Sequence, residues 1–158
     1  MIFVTVGSQL PFDRMTAAVA AWARARGHSD VFLQTGETAV DLAGFRSKPM
    51  LDAREIAAMF DQATLVVAHA GTGTMIECML RGTPVIVMPR SAALHETRND
   101  HQFATARKFA ARAGVFVAWD EKELPALLDR AQSLAGGAAI KPHADESLLS
   151  ALRAFVAE

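Results

Sequence analysis

Residues 68–77, AHAGTGTMIE, carry the clearest chemistry in this sequence. Gly71 and Gly73 allow backbone N–H groups to approach a ligand closely, and the start of a helix adds a partial positive charge. Thr72 and Thr74 add hydroxyl donors. This combination favours an anion such as a phosphate or a diphosphate. A plain tight turn with a threonine helix cap explains the same residues equally well.

Glu77 follows this loop by one helical turn. Its two carboxylate oxygens can accept a pair of hydrogen bonds from vicinal hydroxyl groups. A diphosphate beside a diol is the chemistry of a ribose diphosphate, so Glu77 extends the anion site to a nucleotide. The alternative is an acid that complements the helix dipole, and Glu77 taken alone favours that interpretation.

The elements that must position these residues alternate along the chain. Apolar or β-branched runs predict strands at 2–6, 30–35, within 40–45, and at 64–70, 84–89 and 115–119. Amphipathic runs predict helices at 12–26, 53–63, 73–82, 99–114, 121–134 and 144–158, the first with Asp13 as its N-cap. This alternation predicts an α/β fold, a Rossmann-like parallel sheet with helices on both faces.

Ligands of such sheets bind beyond the carboxyl ends of the strands. Four loops meet there: 6–9, 35–38, 69–74 and 89–102. The anion-binding loop is therefore expected at the same edge as the segment before the first long helix and the polar segment that contains His95.

Length and composition limit the possible functions. The chain has 158 residues, 51% of them hydrophobic, and a formal net charge of -1, which indicates one domain and gives no electrostatic case for nucleic acid. Its single cysteine, Cys78, excludes a disulfide framework within the chain. No Asp-x-Asp pair follows a strand, so we expect no bound metal, and Ser8 lacks the surroundings of a hydrolase nucleophile. The short apolar start and the lack of a long apolar run predict a cytoplasmic protein.

The predicted organisation has three parts. Residues 1–134 form the Rossmann-like domain, and the glycine-containing stretch 135–144 is linker-like. Residues 145–158 form a last helix with a narrow apolar stripe, which packs either on its own domain or on a partner.

Two segments carry a family resemblance. Residues 69–89 followed by 99–114 resemble the nucleotide-sugar half of GT-B glycosyltransferases. The opening, MIFVTVGSQLPFDRM, is similar to the small glycosyltransferase subunits of bacterial exopolysaccharide and capsule synthesis. Their relatives are the eukaryotic catalytic subunit that adds the second GlcNAc to dolichol diphosphate and the C-terminal half of the peptidoglycan GlcNAc transferase, family 28. The resemblance extends from residue 1 to about residue 118.

The resemblance implies a role for each matching position. The UDP moiety would be bound by Gly7, Ser8, His69, Ala70, Gly71, Thr72, Gly73, Thr74 and Glu77, with His69 near the distal phosphate and Glu77 on the ribose. The uracil would lie near Met50 and Leu51. His101 and Gln102 match a pair that contacts sugar hydroxyls. The enzymes of this family act without a cofactor, and the UDP-sugar is the substrate.

Two further residues are assigned from the sequence itself. His95 and Arg98 lie in a polar loop and are either solvated or face the donor sugar, where Arg98 would suit a carboxylate and so favours glucuronic acid over galactose or GlcNAc. The catalytic base is unknown and is expected in a partner chain, with Asp13 and His95 as weak candidates here.

These observations lead to one functional hypothesis with alternatives. The chain is expected to be the donor-binding subunit of an inverting, metal-independent two-component glycosyltransferase in exopolysaccharide synthesis. Its partner would be a membrane-anchored subunit that binds a polyprenyl-diphosphate-linked sugar and recruits this chain to the inner face of the membrane. The alternatives are a lipid-linked GlcNAc transferase of the dolichol type and a non-catalytic nucleotide-sugar-binding subunit.

Overall fold

A computed structural model describes residues 1–156, which contain six strands and six α-helices. The strands are β1 (Ile2–Thr5), β2 (Val31–Gln34), β3 (Arg46–Lys48), β4 (Leu65–His69), β5 (Val85–Met88) and β6 (Val115–Val117). The helices are α1 (Asp13–Arg26), α2 (Ala53–Gln62), α3 (Thr72–Arg81), α4 (His101–Phe109), α5 (Leu124–Asp129) and α6 (Glu146–Val156).

The strands form one parallel sheet in the order β3-β2-β1-β4-β5-β6. The chain moves from β1 to one edge, returns to place β4 beside β1, and then moves to the other edge. Ile2 lies opposite Leu65 and Thr5 opposite Ala68. The strand order therefore reverses between β1 and β4, and the predicted Rossmann-like α/β fold is confirmed. This reversal is where open α/β sheets bind their ligands.

Both faces of the sheet are covered, which explains why its central strands are apolar throughout. On one face, α1 and α5 pack against residues such as Val4 and Val67. On the other face, α2, α3 and α4 pack against residues such as Phe3 and Val66. The helices that follow β3, β4 and β5 thus share one layer, and α3 and α4 both begin at the carboxyl edge of the sheet.

Asp13 does not cap α1 as the sequence predicts. The N-cap residue is Phe12, which has no side-chain hydrogen bond to the helix, and Asp13 is the first helical residue. The Asp13 carboxylate instead accepts hydrogen bonds from the Thr38 hydroxyl and the Ala39 backbone N–H. It therefore connects α1 to the loop after β2.

Three other predicted elements, one strand and two helices, differ by several residues from those in the structure. The strand expected within 40–45 begins only at Arg46, because the Asp41 side chain accepts the Ala43 N–H in a local turn and Gly44 has a φ of 89°. The helix expected to reach residue 114 ends at Phe109, and turns lead from there to β6.

The helix expected over 121–134 covers only Leu124–Asp129. Pro125 lies in its first turn, the position where the missing N–H costs nothing. A short 3-10 turn, Ala131–Ser133, follows it.

The stretch 135–144 is not a free linker over its first half. A Cβ on Gly136 would lie 1.6 Å from the Gly82 carbonyl oxygen, and one on Gly137 would lie 2.4 Å from the Ala113 carbonyl oxygen. The Ile140 N–H donates to the Met79 carbonyl oxygen at 3.1 Å. The glycines therefore allow close backbone contact with the turns that precede β5 and β6, at the edge of the sheet opposite the anion-binding loop.

The last helix, α6, contains no buried residue. Phe155 is 77% exposed, and Leu148 and Leu152 are about half exposed. Its apolar stripe is therefore not covered by this domain. None of the helices within residues 1–156 is long and apolar enough to cross a membrane.

Candidate functional site

A cleft of about 420 Å³ opens at the carboxyl edge of the sheet, where the strand order reverses. Its size lies within the range of small-molecule sites, about 300–1,000 Å³. Its walls come from the loop after β1, the segment before α2, the start of α3 and the segment between β5 and α4. The lining residues that the sequence predicts for the site are Gly7, Ser8, Met50, Leu51, His69, Gly71, Gly73, Thr74, His101 and Gln102.

His69 is the last residue of β4 and packs between two glycines. A Cβ on Gly71 would lie 2.2 Å from His69 Cε1, and a Cβ on Gly7 would lie 2.6 Å from His69 Nε2. Real Cβ atoms do not approach so closely, so both positions require glycine while the ring keeps this place. Gly7 also has a φ of 80°, which favours glycine independently.

The start of α3 lies beside His69 and is uncapped. Its N-cap residue is Gly71, which has no side chain to accept the N–H groups of the first turn. A Cβ on Gly73 would meet no atom within 4 Å, so this first turn is open to the cleft. Free N–H groups and the positive end of the helix dipole make this position chemically suited to an anion.

Gln102 is a buried hydrogen-bond partner of His69. It is 6% exposed, and its Nε2 lies 3.3 Å from His69 Nδ1. Burial is the main cause that lowers the pKa of His69 to about 4, and the nearby Arg90 guanidinium contributes to this lowering. His69 is therefore a neutral imidazole at pH 7.

Arg90 was not predicted as a site residue, although it is 4% exposed and lines the cleft. Its guanidinium donates to the carbonyl oxygens of Val6, Leu10 and Pro11 at 2.6 to 2.8 Å, and to that of Glu96 at 3.1 Å. Arg90 thus fixes the loop after β1 to the loop after β5, and it places a positive charge beneath the cleft. The sequence did contain a signal for this role, because Arg90 directly follows the apolar run predicted as a strand at 84–89.

Gln34, the last residue of β2, is a second buried support. It accepts a hydrogen bond from the Thr5 hydroxyl at 2.6 Å and donates to the carbonyl oxygens of Gly7 and Pro49. Its amide therefore holds the β1 loop and the segment before α2 at a fixed separation. Met50 and Leu51, the residues expected near a uracil, line the cleft on this side.

Glu77 does not line this cleft. It lies in an adjoining groove of about 400 Å³, which shares Ile56, Gly73 and Thr74 with the cleft. One Glu77 carboxylate oxygen accepts a hydrogen bond from Arg81, whose guanidinium also pairs with Asp61. The other Glu77 carboxylate oxygen has no hydrogen-bond partner among the described residues.

Several predicted residues lie away from the cleft. Ala70 is buried in the core, and Thr72 is exposed at the start of α3 without lining the cleft. His95 and Arg98 are exposed and do not line it either. Between His95 and Arg98, the residues that reach the cleft are Glu96 and Thr97.

Neither weak candidate for a catalytic base lies in the cleft. Asp13 is bonded to the loop after β2, and His95 is exposed with a φ of 56°. Glu96 reaches the cleft, but both of its carboxylate oxygens accept hydrogen bonds from Arg14. Within residues 1–156, no group of three or more His, Cys, Asp or Glu side chains could hold a metal ion.

Residues 1–135 match the glycosyltransferase family 28 C-terminal domain, and the chain belongs to this family. This confirms the family resemblance seen in the sequence. The mouse UDP-N-acetylglucosamine transferase subunit ALG13 is 30% identical over 124 residues, which is 72% of this chain and 10% of the mouse protein.

A second relative comes from Parasynechococcus marenigrum. Its UDP-N-acetylglucosamine--N-acetylmuramyl-(pentapeptide) pyrophosphoryl-undecaprenol N-acetylglucosamine transferase is 35% identical over 100 residues, 63% of this chain and 27% of that enzyme. The solution structure of ALG13 has a TM-score of 0.61 and 19% identity and covers 90% of both chains, which shows a shared fold. The chain therefore spans about a tenth to a quarter of the lengths of these two curated relatives.

Proposed function

We propose that this chain binds UDP-GlcNAc and is the donor half of a glycosyltransferase that transfers GlcNAc to a diphosphate-linked lipid acceptor. The observation that carries the proposal is the uncapped N-terminus of α3, which faces His69 at the reversal of the strand order in a family 28 domain. The relatives' names support the donor, since both contain UDP-N-acetylglucosamine or N-acetylglucosamine transferase.

The diphosphate would lie over the first turn of α3. The N–H groups of this turn and a neutral His69 would donate hydrogen bonds to its oxygens. These donors are fixed before the ligand arrives, so they stabilise the negative charge that develops on the UDP leaving group. We propose that this chemistry needs no metal ion and that the sugar carbon is attacked with inversion.

The nucleoside would extend into the adjoining groove. Glu77 presents a carboxylate oxygen there that its pairing with Arg81 leaves free for a ribose hydroxyl. Met50 and Leu51 would lie beside the base. In this proposal the donor sugar would lie on the other side of His69, towards His101 and Thr97.

Glucuronic acid is not favoured as the donor sugar. That expectation rested on Arg98 and His95, and both side chains lie outside the cleft. Within residues 1–156, the cleft offers no free guanidinium for a sugar carboxylate, because the Arg90 guanidinium donates to four backbone carbonyl groups. A neutral sugar such as GlcNAc fits this lining better.

The acceptor half belongs to a second chain in this proposal. The described residues bring no uncommitted carboxylate into the cleft to act as a base towards an acceptor hydroxyl. A membrane-anchored partner would supply that base and the acceptor site, and it would recruit this chain from the cytoplasm to the inner face of the membrane. A role in exopolysaccharide synthesis stays a prediction.

We propose that this partner binds to the exposed apolar stripe of α6. Removal of residues 145–158 is expected to leave UDP binding intact, because α6 buries nothing on the domain. It should abolish co-purification with the membrane subunit. Unfolding of the truncated chain would contradict this role and assign α6 to the core.

Isothermal calorimetry in EDTA tests ligand binding. UDP and UDP-GlcNAc are expected to bind, UDP-glucuronic acid more weakly, and adenine dinucleotides not at all. Arg98→Ala should leave the ranking of the donors unchanged. Strict dependence on Mg²⁺, or a preference for UDP-glucuronic acid, would contradict the proposal.

Reconstitution tests the chemistry. The chain is mixed with its membrane subunit, a polyprenyl-diphosphate-linked sugar and labelled UDP-GlcNAc, and the lipid product is measured. Gly71→Ala in this chain should abolish product formation. If product forms at an unchanged rate, the chain is a binding subunit and the chemistry lies elsewhere.

A further inference from the structure

The cleft histidine has a fixed hydrogen-bond partner whose orientation can be deduced. The backbone N–H of Arg90 lies 3.1 Å from one end of the Gln102 side-chain amide. A backbone N–H can only donate, so this end must be the amide oxygen. The amide nitrogen of Gln102 consequently faces the other way, towards His69 Nδ1 at 3.3 Å.

This orientation decides where His69 carries its proton. The Gln102 amide nitrogen can only donate, so His69 Nδ1 must accept and is unprotonated. A neutral imidazole has one N–H, which is then on Nε2. Because burial holds the pKa of His69 near 4, the ring keeps this single proton at neutral pH.

The protonated nitrogen lies beside Gly7. A Cβ built on Gly7 would meet Nε2 before any other His69 atom, and both residues line the cleft. Any side chain at Gly7 would cover Nε2, at 2.6 Å from its Cβ. The glycine therefore leaves room for a ligand oxygen to reach the Nε2–H.

We propose that Gln102 is a positioning residue that holds His69 as its Nε2–H tautomer, so that His69 donates a hydrogen bond to the diphosphate. This proposal rests on the proposed function for the identity of the ligand only. It gives Gln102 a role different from the sugar contact that the sequence resemblance implies, because both ends of its amide are engaged within the protein. This series of hydrogen bonds connects the Arg90 backbone in the loop after β5, through Gln102 of α4, to His69 at the end of β4.

Nitrogen-15 NMR of histidine-labelled protein tests the tautomer directly, since protonated and unprotonated ring nitrogens differ widely in chemical shift. In the wild-type chain at pH 7, His69 should show a protonated Nε2 and an unprotonated Nδ1. The opposite pattern would overturn the proposal. This measurement needs no variant.

Gln102→Glu tests the cause. Glutamate keeps an acceptor for the Arg90 N–H but replaces the amide donor by an acceptor, so His69 Nδ1 should become protonated. Gln132→Glu, at an exposed position outside the cleft, is the control for the added charge. An unchanged His69 spectrum in folded Gln102→Glu would overturn the role of Gln102. If this variant does not fold, the wild-type spectrum still decides the tautomer.

Titration with UDP and with UMP tests the donated bond. UDP should shift the Nε2 resonance of wild-type His69 and leave Nδ1 unprotonated, while UMP at equal saturation should shift Nε2 less. Equal shifts, or none on UDP binding, would overturn the contact with the diphosphate. Failure of calorimetry to detect any UDP binding would overturn the proposed function, whereas the ring spectra would still decide the tautomer.

Discussion

Helices α2 and α3 both begin at the carboxyl edge of the sheet, yet their first turns are completed in opposite ways. Asp52 caps α2 by accepting the N–H groups of Arg54 and Glu55, and Glu55 in turn accepts the Asp52 N–H. Helix α3 begins at Gly71, which has no capping side chain. The N–H groups at the start of α2 are satisfied by side chains of the same helix, and those at the start of α3 have no side-chain cap.

The two helix starts are therefore expected to contribute to different properties, the start of α2 to stability and the start of α3 to ligand binding. A capping residue typically contributes about 0.5–2 kcal/mol to stability, so α3 forgoes a contribution that α2 receives. What α3 retains is a set of fixed N–H donors, next to a histidine that the cleft keeps neutral. Changes at the start of α3 should therefore act on ligand affinity, whereas changes at the start of α2 should act on the free energy of unfolding.

Gly71→Ala should have the largest effect on binding. The new Cβ would lie 2.2 Å from His69 Cε1, so the ring or the start of the helix must move. Loss of two hydrogen bonds to a charged group, at about 1.5–3 kcal/mol each, weakens UDP binding by more than about 100-fold. Calorimetry measures this change.

Gly73→Ala separates the position of His69 from access to the cleft, because Gly73 lines the cleft. Its Cβ would meet no protein atom within 4 Å, so the fold and His69 should be unaffected. The His69 ring resonances should therefore move in Gly71→Ala and stay unchanged in Gly73→Ala. Resonances that are unchanged in both variants would show that glycine at 71 is not needed for the position of His69.

The protonation of His69 should make stability depend on pH. Its pKa is about 4 in the folded chain, against an ordinary value of 6.5, so the unfolded chain binds the proton more readily. Stability is therefore lost as the pH falls from about 6.5 to about 4, by up to about 3 kcal/mol. Urea unfolding at several pH values should show this loss, reduced in His69→Asn and retained in His101→Asn. An identical pH profile for His69→Asn would contradict the neutral buried ring.

Glu77→Ala tests the groove beside the cleft. Loss of a hydrogen bond from a ribose hydroxyl to a carboxylate should weaken UDP binding by about 1.5–3 kcal/mol, roughly 10- to 150-fold. Uridine and UMP should lose a similar factor, which distinguishes the ribose from the diphosphate. Stability should change little, since an exposed pair such as Glu77–Arg81 contributes only about 0.3–0.5 kcal/mol. Unchanged affinity would leave Glu77 as a surface partner of Arg81.

Asp52→Ala should have the smallest effect and act on stability alone. Removal of the α2 cap should lower the free energy of unfolding by about 1 kcal/mol. UDP affinity should stay within about twofold, because the wild-type donors of this turn already have partners. A large loss of UDP affinity would show that the two helix ends are not separate in function.

Much of the fold was predictable because its signals are local. The apolar strands, the glycines that end α1 and α3, and the alternation of elements are all readable over short windows. The errors also have local causes that were present in the sequence but compete with each other. Asp41 and Gly44 form a turn where the apolar residues between 40 and 45 indicated a strand, and Pro125 shortens a helix.

The sequence by itself determined the family, the strand-loop-helix unit around His69, and the cleft-lining residues within that unit, because motif spacing fixes these within one connected segment. Only the tertiary structure decided which distant side chains meet there. Arg90 joins the loops after β1 and β5, Gln102 sets the environment of His69, and Arg98 remains outside. These outcomes depend on how neighbouring strands of the sheet are ordered and on which buried polar groups find partners, and no spacing along the chain encodes either.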